Sequence, residues 1–450
     1  MKSINRSRRI ITLFLTLFIA GMIALVIKLR NESSFYMMNS DKLVLGKVYD
    51  RNGEVLFDDS DTQYPEGHFT DVGNIIGDAK GQMTNTLVSA NLELLNNYGF
   101  EQGLVTENGK SAIYTTIDHF ANQAVFNAYG NAKGSAVAYD YKTGEILVCV
   151  SLPSPDVTKG YANIADFETG TLISKNLYGT VPGSTQKIST LISAIEVMGA
   201  DALFAKSFEC TGQYINKSGE IIKCHKSSGH GVQTIQQAVE NSCNPFFAQL
   251  VEDDSLPLDG IKNTYRKMGY AVNEDVKSRF SIDGILCEKA STTLENSYDF
   301  DTQWGCIGQG DTLVSPVQLM MWQSAIANAT GKMTMPHFID HITDVTGKAK
   351  DHAVTQFSEE IFAPSTAQTV KQIMLTNGNN NYSASIEGYS VGVKSGTAQV
   401  KNGQEENSLL VGFVDSSRHS IAFCILIENK NNVTVTTEQI ASVMLDALCS

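Results

Sequence analysis

The chain has 450 residues and is 42% hydrophobic, which is room for two or three globular units and too apolar for disorder to be the default. The formal net charge is −14, and the first 27 residues carry four basic and no acidic side chains, so the remainder carries about −18 once those four are set aside. That balance argues against nucleic acid as a partner, for which a basic face is expected, and fits a solvated acidic surface.

At the N-terminus, Ile10 to Ile27 is an uninterrupted 18-residue stretch without a charge, about the length that spans a bilayer as one helix. A secretory signal peptide competes, but its apolar core is shorter, roughly 7–15 residues, and ends in an Ala-x-Ala-like cleavage site. No good site of that kind precedes Lys28. Lys2, Arg6, Arg8 and Arg9 come before the stretch and only Lys28 and Arg30 closely follow it. The positive-inside bias therefore puts residues 1–9 in the cytoplasm, a membrane anchor at 10–27, and everything after Lys28 outside.

Next, LVLGKVYDRNGEVLFDD shows two apolar-alternating runs around Asn52-Gly53, a strong hairpin signal. The acidic FDDSDTQYPEGHFTDVG that follows reads as a loop. Between Thr84 and Asn131 the apolar spacing is more helical, broken by glycine-containing turns, so residues 28–130 form a small membrane-proximal α+β module. GSAVAYDYKTGEILVCVS then gives two alternating strands joined by a turn at Asp140 to Gly144, opening a new sheet. From Ser184 to about Leu294 helical patterns dominate. Strands return in YSVGVKSGTAQV, NSLLVGFVDSS and SIAFCILIEN, before a closing helix from about Thr437 to Leu448. Strands at both ends with helices between them predict, for residues 131–450, an α+β fold: an antiparallel sheet with an inserted helical subdomain.

Eight cysteines lie at 149, 210, 224, 243, 287, 306, 424 and 449, with no Cys-x-x-Cys pair of the kind that marks zinc or thioredoxin-like chemistry. On spacing alone no metal site and no cofactor is expected. Cys210 and Cys224 flank CTGQYINKSGEIIKC, whose Lys217-Ser218-Gly219 reads as a hairpin turn. A disulfide there suits an extracytoplasmic location, whereas reduced, buried thiols suit an anaerobic source, and the sequence leaves both open. Cys149 and Cys424 sit in apolar strand-like runs as small core residues.

Three short motifs carry the chemistry. In VPGSTQKIST, Pro182-Gly183 turns the chain into a helix start, and Ser184 and Lys187 share one helical face at i, i+3. A serine hydroxyl becomes a good nucleophile when a neighbouring base takes its proton, and lysine is such a base if burial or nearby cations depress its pKa. The helix N-terminus favours negative charge developing near Ser184. Ser242-Cys243-Asn244 stands at the end of a helical pattern halted by Pro245. Lys394-Ser395-Gly396-Thr397 lies in an apolar strand, where a glycine lets a substrate backbone approach closely. Each has an ordinary reading taken alone: an exposed helix start, a polar cap, an edge charge that discourages aggregation. Their order and spacing lift them above it, since Ser-x-x-Lys, Ser-x-Asn and Lys-Ser-Gly together mark β-lactamases and penicillin-binding proteins.

The chain resembles class B penicillin-binding proteins from the anchor nearly to the C-terminus. GKVYDRNGEVL, IYTTIDHFAN, GSAVAYDYKTGEILVCVSLPSPD, VPGSTQKIST, GHGVQTIQQAVENSCNPFF, IGQGDTLVSPVQLMMWQSAIAN and VGVKSGTAQV are similar to family segments in the family's order. It departs at Gln186, where an aromatic residue is common, in PSPDVTKG, which lacks the usual Asp-Pro-Asn, and in a short pedestal. The resemblance implies a serine-type D-Ala-D-Ala transpeptidase of peptidoglycan, inhibited by β-lactams, with a membrane-embedded glycosyltransferase as partner. It implies roles for Ser184 as nucleophile, Lys187 as base, Ser242 as proton relay, Asn244 as the group that holds the substrate amide and orients Lys187, Lys394 as a source of positive field, and Ser395, Gly396 and Thr397 at the substrate carboxylate and oxyanion.

His225 and His230 precede the second motif and tempt a Ser-His reading. With Lys187 available as base, loop hydrogen bonds are the expected role for both. The nearest rivals are a DD-carboxypeptidase or a β-lactamase on the same scaffold. Ser-Cys-Asn argues against the class D lactamase pattern, and no segment clearly supplies a class A deacylating glutamate. More distant rivals are a non-catalytic β-lactam sensor and a structural scaffold with a dormant site.

Overall fold

The computed structural model describes residues 2–38, 45–60, 69–95, 98–99, 103–104, 111–157, 164–274, 278–344, 346–401 and 403–449. The first element is one helix, Lys2–Met38. Within it Ser7–Leu29 is long and apolar enough to cross a membrane, and none of its most apolar stretch is buried against the rest of the protein. An apolar helix with no protein to cover it is the physical signature of lipid contact.

The first sheet is five-stranded, in the order Ala349–Lys350, Ile339–Thr343, Ala112–Thr115, Val48–Tyr49, Val55–Phe57. The Asn52-Gly53 hairpin forms as its sequence predicts: Val48 pairs with Phe57, and Asp50 Oδ1 accepts from the backbone of Asn52 at 2.8 Å and Glu54 at 2.7 Å. Two strands come from residues 339–350, so the later part of the chain is woven into this sheet. Of the acidic stretch read as a loop, residues 61–68 lie outside the described residues, while Thr70–Val72 and Gly73–Ile76 form short helical turns. The helical expectation for 84–131 holds only in fragments. Leu87–Ala90 and Leu92–Leu95 are four residues each, and the one longer helix among the described residues of this stretch, His119–Ala128, begins where Asp118 accepts a bond from Ala121 N at 3.1 Å. That side chain satisfies one of the amides a helix start leaves free.

The second sheet runs Val391–Val400, Glu405–Val414, Ile421–Glu428, Lys133–Asp140, Ile146–Leu152, antiparallel throughout. Its outermost strands are distant in sequence, as the strand pattern predicts. Ile421–Glu428 explains why it reads as one unbroken apolar run. Ile421, Phe423, Ile425 and Ile427 face a core with Val125, Ile440 and Met444. Ala422, Cys424 and Leu426 face a second core with Met320 and Phe246. Side chains alternate across a strand, so a strand buried on both faces has no polar positions. The helices His119–Ala128 and Thr437–Cys449 cover the first face, and Pro316–Ala327 packs on the other.

Between the strands, residues 187–267 supply helices, but the helical reading of 184–294 misses short strand pairs within 207–234 and again in 271–292, where Arg279–Ile282 pairs with Ile285–Glu288. Ser207–Cys210 pairs with Gly231–Thr234, and Gln213–Ile215 with Ile221–Lys223. The Lys217-Ser218-Gly219 turn closes the inner hairpin, with Asn216 N donating to Glu220 O at 2.9 Å.

Candidate active site

Ser184 sits in a single 3-10 turn, Gly183–Gln186, that feeds the helix Lys187–Met198. Gly183 has φ +55°, and a Cβ there would lie 2.6 Å from the Thr397 carbonyl oxygen. Both the left-handed backbone and the close approach require glycine. A Cβ on Gly396 would lie 2.7 Å from Pro182 O, so the nucleophile turn and the Lys-Ser-Gly-Thr strand touch backbone to backbone. Residues more than two hundred positions apart thus form one wall.

Lys187 is completely buried. Its Nζ lies 2.6 Å from Ser184 Oγ, 2.7 Å from Asn244 Oδ1, 2.9 Å from Ser242 O and 3.4 Å from Ser242 Oγ. Ser242-Cys243-Asn244 falls between two helices, Ile235–Glu240 and Asn244–Val251. Pro245 therefore opens the second helix rather than halting the first; its missing N–H costs nothing at that position. Ser242 has φ +50°, a conformation that costs a non-glycine residue on the order of 1–3 kcal/mol and persists where surroundings enforce it.

Lys394 is 1% exposed, which rules out the edge-charge reading. Its Nζ reaches Ser242 Oγ at 3.0 Å and donates to Ser395 O at 2.8 Å. Val391–Val400 is paired on one side only, and its open edge faces the nucleophile. In an antiparallel strand a residue's N–H and C=O point the same way. Thr397 O accepts from Gln309 Nε2 at 3.0 Å on the open edge, so the Thr397 N–H also points there, toward the cleft. The Ser184 N–H, in the first turn of its helical segment, is one of the donors without an intrahelical partner.

Burial pushes the Lys187 amine well below its ordinary pKa, and the neighbouring Lys394 adds to the effect. The oxygens bonded to Lys187 are hydroxyl, carbonyl and carboxamide, so no carboxylate in that set restores the charge. Burial also lowers Lys394, to about 7. Both amines meet at Ser242 Oγ, a single hydroxyl linking two proton carriers. The cleft above them encloses about 850 Å³ and is lined by Ser184, Ser242, Asn244, Ser395, Thr397, Phe300 and Trp304, among others. The last two rings stack at 5.2 Å and form an apolar wall.

A model of the penicillin binding protein transpeptidase domain matches residues 134–445. The chain belongs to this family. Stage V sporulation protein D of Bacillus subtilis is 29% identical over 335 residues, covering 70% of this chain and 48% of that protein. The peptidoglycan D,D-transpeptidase MrdA of Acinetobacter baumannii is 22% identical over 351 residues, covering 70% and 51%. The chain spans about half the length of these curated relatives. Among solved structures, penicillin-binding protein A of Mycobacterium tuberculosis, as a ceftriaxone acyl-enzyme, has a TM-score of 0.77 at 17% identity over 93% of this chain and 100% of its own. The D,D-transpeptidase domain of a peptidoglycan glycosyltransferase from Eggerthella lenta has a TM-score of 0.73 at 20% identity, covering 90% and 98%. The α+β transpeptidase fold expected from the sequence is the fold present.

Within this transpeptidase domain, several side chains at the site carry no motif of their own. Tyr382 Oη donates to Ser395 Oγ at 2.6 Å, Lys430 Nζ donates to Thr397 Oγ1 at 3.2 Å, and Gln309 Oε1 accepts from Gln399 N at 3.2 Å. Gln309 lies in IGQGDT, a segment matched by likeness alone; the other two are brought in by tertiary packing. Gln186, the departure from the aromatic pattern, is buried and accepts from Tyr270 Oη at 2.7 Å. Cys149 and Cys424 are core thiols, and Cys210 and Cys224 are free. His225 borders the cleft, while His230 Nδ1 lies 3.5 Å from Cys224 Sγ, a partner its sequence context does not announce.

Proposed function

We propose that the protein is a peptidoglycan DD-transpeptidase that works through an acyl-enzyme on Ser184 and is inhibited covalently by β-lactams. The observation that carries the reading is the 2.6 Å approach of Lys187 Nζ to Ser184 Oγ in surroundings that favour the neutral amine. Ser184 Oγ attacks the carbonyl carbon of the penultimate D-Ala of a stem peptide as its proton passes to Lys187. The negative charge that develops on the carbonyl oxygen meets the N–H groups of Ser184 and Thr397, donors worth about 3 kcal/mol each when preorganised. Ser242 relays the proton to the departing amine, the C–N bond breaks, and D-Ala leaves. The hydroxyls of Ser395 and Thr397 grip the terminal carboxylate, Lys394 adds positive field from behind them, and Asn244 orients Lys187 and holds the substrate amide. The stem peptide lies against the open edge of the Val391–Val400 strand, where main-chain bonds supply affinity and side chains supply selection, while Gly396 makes room for the Pro182 carbonyl and Thr185 of the turn rather than for substrate. An amine from a second stem peptide attacks the ester, gives up a proton through the same relay, and frees Ser184. A β-lactam enters as a D-Ala-D-Ala mimic and stalls at the ester.

Residues 1–9 lie in the cytoplasm and 10–27 span the membrane on this reading, which rests on the positive-inside bias. Residues 28–130 act as the pedestal and 131–450 as the transpeptidase domain, with a glycosyltransferase in the same membrane as the family resemblance implies. The decisive assay incubates the protein with a D-Ala-D-Ala donor and an amine acceptor. Crosslinked product is expected; free tetrapeptide alone would make the enzyme a carboxypeptidase.

A further inference from the structure

Ser395 and Thr397 stand two apart on the Val391–Val400 strand, so their side chains share the face that borders the cleft. Each hydroxyl oxygen is already taken as an acceptor. Tyr382 Oη donates to Ser395 Oγ at 2.6 Å, and Lys430 Nζ donates to Thr397 Oγ1 at 3.2 Å. An ammonium has protons to give and no lone pair, and burial raises the Tyr382 phenol, so both neighbours stay donors. A hydroxyl carries a single proton, and an oxygen that accepts from one partner points that proton at another. The nearest backbone oxygens have partners of their own: Lys394 Nζ donates to Ser395 O at 2.8 Å and Gln309 Nε2 to Thr397 O at 3.0 Å. Two O–H donors are therefore left for whatever enters the cleft.

Both neighbours are held by the fold around the site. Tyr382 closes the helix Pro364–Asn381, its N donating to Gly378 O at 2.9 Å, and its half-buried ring packs on the core that holds Val391 and Val393. Lys430 reaches in from beyond the Ile421–Glu428 strand. Asn429 just before it takes a left-handed conformation, φ +47°, which asparagine tolerates better than most residues. Its N donates to Asn407 Oδ1 at 3.1 Å. Glu406, which lines the cleft, lies 3.3 Å from Lys430 Nζ and fixes the far end of that side chain.

Lys430 also differs from the two motif lysines. Burial depresses the amines of Lys187 and Lys394, whereas the Lys430 side chain is 33% exposed and faces a carboxylate. Two aimed O–H groups beside an ammonium fit a carboxylate, whose oxygens only accept. A terminal amide has the same shape with an NH2 in place of one oxygen, which turns donor against donor.

Resting on the reading of Ser184 as the acylated residue, we propose that Tyr382 and Lys430 are positioning residues that aim the Ser395 and Thr397 hydroxyls, and that this polarity makes the site select a terminal carboxylate over the matching amide. They act through the two hydroxyls and not on the reacting carbonyl.

The test compares two drugs that differ at that group alone, benzylpenicillin and its primary amide, each timed as the Ser184 adduct by mass spectrometry of the full chain in detergent. In the unmodified protein the carboxylate is expected to acylate about a hundredfold faster than the amide. In Tyr382→Phe and in Lys430→Met that ratio is expected to shrink about tenfold, through a slower carboxylate reaction at a nearly unchanged amide rate. Lys430→Arg, which keeps the charge and a donor, is expected to keep most of the ratio. If Tyr382→Phe fails to fold, Lys430→Met, changed at a partly exposed position, carries the test. A merely structural role slows both drugs alike and leaves the ratio where it was. That result, or an unmodified protein that takes both drugs at equal rates, overturns the proposal while Ser184 is still acylated. No adduct from either drug in folded protein overturns the acyl-enzyme reading, and the proposal with it.

Discussion

At the scale of single residues, the site is an exercise in keeping a lysine neutral. Lys187 has no carboxylate among its hydrogen-bond partners, and Lys394 stands across Ser242 Oγ from it. Removing that neighbour therefore has a sign. In Lys394→Ala the like charge is gone, the Lys187 pKa rises, and the neutral base is reached only at higher pH. The ascending limb of penicillin acylation rate against pH is expected to move to the alkaline side, as well as the rate falling; an unmoved limb would show that the two amines are not electrically coupled. His119 gives a second titration, away from the site. Burial disfavours its charge, but Asp71 at 3.3 Å and Glu54 at 2.7 Å outweigh that and raise its pKa to about 9. A group raised above its unfolded value contributes stability in full below about 6.5, and loses it as pH rises toward 9. Urea midpoints are expected to fall across that window and to fall less in His119→Gln.

At the scale of elements, contact between the nucleophile turn and the edge strand sets the geometry. Gly183→Ala places a Cβ against the Thr397 carbonyl and forces an alanine into φ +55°, so a loss of about 1–3 kcal/mol is expected, with slower acylation because the Ser184 and Thr397 amides are pushed apart. Thermal melts and labelling kinetics read the two effects separately. Asp118→Ala removes only a cap and is expected to cost about 1 kcal/mol while sparing acylation. What the sequence disclosed follows the same division. Ser-x-x-Lys and the doubly buried strands were legible because their spacing is local: three residues on a helical face, or a run without polar positions. Tyr382 and Lys430 were not, since tertiary packing alone brings them to the strand, and Gln309 showed only as part of IGQGDT, whose likeness to the family gave it no role of its own. Within 207–234 the inner hairpin was announced by its Lys217-Ser218-Gly219 turn, while the outer pair, Ser207–Cys210 with Gly231–Thr234, was hidden by its short strands and wide separation.

At the scale of the whole molecule, an apolar N-terminal helix precedes a mixed sheet that residues 339–350 help to complete. The later strands tie the two parts together, so the pedestal and the catalytic domain are expected to unfold in one transition rather than two; separate calorimetric transitions would show them to be independent. The most direct test of the account is mass mapping of the protein after brief exposure to penicillin. A single adduct on the peptide containing Ser184, absent from Ser184→Ala, is the predicted result, whereas an adduct on any other residue, or none in folded protein, would contradict it.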